Sequence, residues 1–137
     1  MPTVLITGAN RGIGLEFARQ FKALGYKVLG TSRKTMPSDV ANVFDFTLEL
    51  EVDALASIAQ LPVQLKKLDI EKIDFLILNA GLGIFQREPF DTTSLETLQD
   101  QMIKQFTTNA MGPVLVTRAL IDYLDSSKVC FHVLYLL

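Results

Sequence analysis

The sequence predicts an α/β fold: a doubly wound parallel sheet with strand order 3-2-1-4-5. Three observations carry this prediction. Short apolar runs alternate with helical stretches along the whole chain. The first run, residues 3–6 (Thr-Val-Leu-Ile), leads straight into a glycine-rich turn, Thr7-Gly8-Ala9-Asn10-Arg11-Gly12-Ile13-Gly14. An amphipathic helix follows at once, with Ile13, Phe17, Phe21 and Leu24 on one stripe and Gly25 placed to cap its end. Such alternation implies right-handed crossovers between parallel strands.

The remaining elements follow in order. Residues 27–31 read as strand two, with Ser32-Arg33-Lys34 as its polar exit. Residues 34–42 carry Pro37, Ser38 and Asp39 and leave room for only a short irregular helix. Val43-Phe44 reads as strand three, ending at Asp45. Residues 51–61 form a helix with Val52, Leu55, Ile58 and Ala59 on one face, stopped by Pro62. Residues 73–78 give strand four, and 82–93, with Pro89, a loop. Ser94, with Thr97 behind it, offers an N-cap for a helix over 95–106. A more apolar helical stretch covers 110–124, and 129–136 supplies strand five. No linker or repeat interrupts the pattern, so residues 1–137 are expected to form one domain.

Strand, glycine turn and helix together aim backbone N–H groups and the positive end of a helix dipole at a phosphate. Gly8 permits the tight turn. Gly12 and Gly14 remove side chains where backbone must approach a pyrophosphate or pack on the strand. The order therefore predicts a Rossmann-type nucleotide-binding fold.

Composition narrows the function classes. A net charge of −2 with no basic run argues against nucleic acid or an anionic membrane as partner. The single Cys130 can form neither an internal disulfide nor a metal cluster, which suits a reducing compartment. The first strand begins at Thr3, so no leader peptide is expected. The longest apolar run, 129–137, is shorter than the ~20 residues of a membrane span. A cytoplasmic, metal-free protein is expected.

The spacing T-G-x-x-x-G-x-G resembles the glycine motif of the short-chain dehydrogenase/reductase family. Two further segments share the resemblance. Leu78-Asn79-Ala80-Gly81 is similar to the family's N-N-A-G motif, with Leu78 in place of the first Asn. Asn109-Ala110-Met111-Gly112-Pro113 is similar to the Asn-x-x-Gly segment of the family's central helix. The resemblance covers the chain to about Val133 and leans towards the carbonyl-reductase-like members. It implies hydride transfer between a nicotinamide cofactor and a small-molecule carbonyl or alcohol.

The end of strand two bears on which cofactor. An acidic residue ~20 positions past the glycine turn would select NAD through the ribose 2′-hydroxyl. Gly30-Thr31-Ser32-Arg33-Lys34 has no carboxylate there. Arg33 instead offers a planar guanidinium suited to a 2′-phosphate, and Arg11 is placed to reach the same group. NADP(H) is thus favoured over NAD(H). By resemblance, the cofactor site comprises Gly8, Asn10, Arg11, Gly12, Ile13, Gly14, Arg33, Asp45, Asn79, Ala80 and Gly81. Within it Asp45 would bond the adenine amino group, Asn79 would brace the central strands, and Ala80 and Gly81 would let backbone pass close to the cofactor. Asn109 would sit at a helix distortion and support a proton relay through a water and a catalytic lysine. Asn is a poor helix former, and Pro113 independently argues for a kink there.

The same resemblance implies a Ser after strand five, then a Tyr and a Lys four residues apart. Strand five reads Lys128-Val129-Cys130-Phe131-His132-Val133, and Leu134-Tyr135-Leu136-Leu137 follows. Tyr135 lies in a strand pattern and reads as a packing residue, as does His132. Three readings stand: the cofactor-binding part of an oxidoreductase, inactive alone; a non-catalytic NADP-binding or sensor module; or an interaction module pairing with itself or a full-length relative through residues 95–124, the region through which the family commonly dimerises. Loss of the pattern after Val133 favours the first. The apolar run 129–137 is expected to behave as an aggregation-prone edge strand.

Overall fold

The computed structural model describes residues 1–83, 90–124 and 131–132. Chain order is β1 (Thr3–Ile6), α1 (Gly12–Ala23), β2 (Lys27–Ser32), α2 (Ser38–Ala41), β3 (Phe46–Glu49), α3 (Leu55–Lys67), β4 (Phe75–Ile77) and α4 (Leu95–Phe106). A π turn (Thr107–Met111), α5 (Gly112–Ala119), a 3-10 turn (Ile121–Tyr123) and β5 (Phe131–His132) complete it. The strands pair in parallel in the order β3-β2-β1-β4-β5, as the alternation predicts. Leu5 of β1 stands opposite Leu29 of β2 and Leu76 of β4.

Both faces of the sheet are covered, which explains the nearly continuous apolar strands. Leu5, Leu29, Leu48 and Leu76 point to one face, against Ile58, Leu61 and Leu65 of α3 and Val116 of α5. Their neighbours Val4, Ile6, Val28 and Ile77 point to the other, against Ala18 of α1, Met36 and Phe44. The period of two along each strand sorts adjacent residues between two cores.

Helix α1 ends as its glycine predicts. Gly25, at φ +80°, lets its own N–H reach the Lys22 carbonyl and the Tyr26 N–H reach that of Phe21, both closing the last turn. The Phe21 and Tyr26 rings then meet edge-on at 5.0 Å. At α4 the expected cap forms: Ser94 Oγ accepts the Thr97 N–H at 3.2 Å.

Three expectations are corrected. Val43 and Phe44 are not a strand. Their N–H groups bond Val40 and Ala41 carbonyls in turns that follow α2, and the Phe44 ring lies over Gly30 of β2. Strand three begins one residue after Asp45 instead of ending there. Pro62 does not stop α3, which runs on to Lys67. A proline inside a helix costs ~3 kcal/mol. The apolar stripe continues past it to the fully buried Leu65, and burying Leu61 and Leu65 at ~1.5–3 kcal/mol each offsets that cost. The stretch expected as one helix over 110–124 is a π turn, α5 and a 3-10 turn in succession. Of the expected strand 129–136, Phe131 and His132 pair with Leu76 and Ile77 of β4; the rest, and the loop residues 84–89, lie outside the described residues. Among the described residues, no helix is long and apolar enough to cross a membrane.

Candidate nucleotide site

In a parallel sheet every strand presents its carboxyl end at one edge, and the glycine turn leaves β1 there. Thr7 fixes the departure: its N–H bonds the Ile77 carbonyl of β4 at 2.9 Å, and its hydroxyl accepts the Ala80 N–H at 3.0 Å. The Ala9 N–H then bonds the Thr31 carbonyl at the end of β2, also at 2.9 Å. The turn is therefore strapped to both neighbouring strands.

The glycines of the turn do different work. Gly8 has φ +63°, and a Cβ on it would lie 2.9 Å from the Ala80 Cα, so conformation and space both demand glycine. Gly14, inside α1, is excluded by packing alone: a Cβ would lie 2.5 Å from the Gly8 carbonyl and from Asn79 Nδ2. Gly12 has φ +57° but faces open space. It leaves the approach to the start of α1 clear.

That start is open. Arg11 is the N-cap, no side chain bonds the first-turn N–H groups, and no acidic residue lies in the first turn. Asn10, Arg11, Gly12 and Ile13 are all exposed beside it. The first turn of α4 differs, being capped by Ser94 and carrying Glu96, but α3 starts uncapped and acid-free as α1 does, so the open glycine turn is what sets α1 apart. Uncapped N–H groups behind an open glycine are what a phosphate requires. Arg33 stands exposed just beyond the carboxyl end of β2, with no carboxylate in residues 30–34.

Asn79 follows β4 and is half-buried. Its Nδ2 donates to the Thr7 and Gly8 carbonyls, each at 3.1 Å, so its side chain is committed to bracing the turn. Asn109 lies within the π turn, and its amide closes a two-bond ring on Leu82: Oδ1 accepts the Leu82 N–H at 2.7 Å, and Nδ2 donates to the Leu82 carbonyl at 2.8 Å. Gly81 sits within this arrangement, where a Cβ would lie 3.5 Å from Asn109 Oδ1. The π turn has a local cause. Pro113 has no N–H to give the Asn109 carbonyl, and the Gly112 N–H reaches Thr107 instead, five residues back.

The structure thus brings together Gly8, Gly14, Asn79 and Ala80, and joins Gly81 to Asn109 through the loop after β4. It does not bring Asp45 to them. Asp45 precedes β3, at the amino edge of the sheet, where its carboxylate accepts the Val28 N–H at 2.7 Å and pairs with Lys22 at 2.5 Å. The misplaced strand misplaced its aspartate. The acidic residues at the carboxyl end of β3 are Glu49, its last residue, whose carboxylate accepts the Thr35 hydroxyl at 3.2 Å, and Glu51 just beyond, whose backbone N–H bonds Ser57 Oγ at 2.8 Å. The alternation in Phe46-Thr47-Leu48-Glu49-Leu50 is the signal that points to this strand end. Among the described residues, no cluster of His, Cys, Asp or Glu could hold a metal ion.

The short-chain dehydrogenase family model matches residues 2–130. The chain belongs to this family. Among its relatives, the uncharacterized oxidoreductase YbbO of Escherichia coli is 32% identical over 87% of the chain. This short-chain dehydrogenase sequence spans 42% of YbbO's length and 46% of that of FixR from Bradyrhizobium diazoefficiens, so less than half of either. A carbonyl reductase of Pseudomonas aeruginosa superposes with a TM-score of 0.73 at 26% identity, covering 93% of this chain and 59% of that one. A short-chain dehydrogenase/reductase of Burkholderia multivorans, solved with bound NADP, superposes with a TM-score of 0.71 at 25% identity, covering 90% and 54%. The site is accordingly the nucleotide-binding part of a dehydrogenase/reductase fold.

Proposed function

We propose that this chain binds NADP(H) as the cofactor half of a reductase acting on a small carbonyl or alcohol. The observation that carries the proposal is the pairing of an uncapped, glycine-opened start of α1 with an exit from β2 that bears Arg33 and has no carboxylate of its own in residues 30–34. The first turn of α1 holds the pyrophosphate, while Arg33 and Arg11 hold the 2′-phosphate in charge-assisted hydrogen bonds. The end of β3, with Glu49 and Glu51, supplies the carboxylate first expected of Asp45. Ala80 and Gly81 admit the nicotinamide half alongside β4, and Asn109 holds the loop that lines it. When bound, the nicotinamide supplies hydride chemistry. The Burkholderia structure solved with NADP and a Brucella melitensis reductase solved with NADH, each 25% identical, support a nicotinamide nucleotide at this edge. Calorimetric titration with NADPH tests the proposal directly: saturable one-to-one binding is expected, and heats indistinguishable from dilution by a folded chain would refute it.

Neither Tyr26 nor Tyr123 has a lysine four residues on. Residues 1–137 therefore supply the cofactor side of the reaction and no Tyr–Lys pair to move the substrate proton. A second feature bears on association. Met102, Ile103 and Phe106 of α4 and Val114 of α5 are each more than half exposed, on neighbouring turns. Such a stripe suits association with a second copy or a relative. Sedimentation velocity of the wild type against Phe106→Glu reads it: a dimer lost in the variant supports association, and a wild-type monomer at all concentrations contradicts it.

A further inference from the structure

Asn109 reaches Leu82 from its helix, and two contacts hold its neighbours Thr108 and Gly112. Thr108 is buried, and its hydroxyl donates to Asp53 Oδ2 at 3.1 Å. One turn on, Gly112 packs so closely on the segment joining β3 to α3 that a Cβ would lie 2.5 Å from the Val52 carbonyl oxygen. This segment is itself fixed. The Leu50 N–H bonds the Ser32 carbonyl at 2.9 Å, the Glu51 N–H bonds Ser57 at 2.8 Å, and the Ala54 N–H returns to the Glu51 carbonyl at 3.1 Å.

The two contacts bracket the π turn. A residue inserted into helical register is rare and persists where its surroundings hold it. Thr108 and Gly112 meet one rigid segment, and between them the Gly112 N–H is committed to Thr107. Each residue turns the helix by ~100°. Clamping Thr108 on Asp53 therefore dictates that Asn109 swings round to Leu82. If Gly112 moved back to ordinary helical pairing, Asn109 would rotate off the loop.

We propose that Asp53 is a positioning residue that acts through Thr108, and with Gly112 sets the rotation of the π turn and the reach of Asn109. The segment bearing Glu51 at one end of the site is thereby tied to the Asn109–Leu82 bridge at the other. The value of the device rests on the proposal that this edge binds a dinucleotide; its geometry does not.

Amide hydrogen exchange of Leu82, measured by NMR without nucleotide, tests it. Thr108→Val keeps the volume and removes the donor, and Asp53→Ala removes the acceptor. Each is expected to speed Leu82 exchange about five- to tenfold, the worth of one hydrogen bond, while Leu5 in β1 is unchanged. Thr108→Ser and Asp53→Asn, which restore donor and acceptor, return it to within about twofold. In an Asn109→Ala background, Thr108→Val should add nothing. An unchanged Leu82 rate, an acceleration matched at Leu5, additivity with Asn109→Ala, or a variant that fails to fold would each overturn the proposal. Failure of NADPH to bind would overturn the nucleotide proposal and leave this result standing.

Discussion

Asn79 gives its side-chain amide to two successive carbonyls, Thr7 and Gly8, each at 3.1 Å, across more than seventy residues of sequence. It joins the end of β4 to the turn leaving β1, and so makes the turn's shape a property of the sheet. Asn79→Ala leaves the carbonyls of buried Thr7 and half-buried Gly8 without this donor and is expected to cost about 2 kcal/mol. Urea unfolding checks it. A midpoint unchanged from wild type would mean that the brace contributes nothing.

Gly12 and Gly14 separate conformation from packing. Gly12→Ala meets no neighbour and carries only the left-handed strain of ~1–2 kcal/mol. Gly14→Ala drives a methyl against the Gly8 carbonyl and Asn79, an overpacking cost of ~1–3 kcal/mol or more, and displaces the brace. Thermal denaturation should therefore rank Gly14→Ala as the more damaging; the reverse order would contradict the packing described.

Asp45 predicts an acid-labile contact. Burial pushes its carboxyl up, but the Lys22 ammonium and the Val28 N–H outweigh burial and hold it below its ordinary value of 3.8. A lowered folded value means that the stabilisation is complete above the usual aspartate range and is lost as pH falls through the lowered value. Asp45→Asn should therefore narrow the stability difference between pH 7 and pH 3. Parallel pH–stability curves for the two proteins would count against it.

Hydride transfer to an aldehyde or ketone by the purified 137-residue chain is expected to be undetectable, because no Tyr–Lys pair is present to move the proton. Following NADPH absorbance with a panel of small carbonyls checks this. Turnover abolished by Asn109→Ala would show that this chain carries its own catalytic group.

Much of the fold was legible because its signals are local. The run from Thr3 to Gly25 holds strand, turn, helix and cap in unbroken order, and each formed where expected. What was illegible depended on distant partners. Phe44 looks like strand because it is apolar, yet it is buried over Gly30 from a turn. That single displacement carried Asp45 to the wrong edge of the sheet. Pro62 reads as a helix end unless the burial of Leu65 behind it is known. Asn109 and Pro113 signalled a distortion, but a π turn held by Val52 and Asp53 could be seen only once α5 lay against the segment before α3.

The most direct measurement is a paired calorimetric titration of wild type and Arg33→Ala with NADPH and with NADH. Wild type is expected to bind NADPH more tightly, and Arg33→Ala to lose about ten- to hundredfold in NADPH affinity, the worth of a charge-assisted hydrogen bond, with NADH unchanged. Equal affinity for the two nucleotides, or an Arg33→Ala variant that still prefers NADPH, would contradict the account.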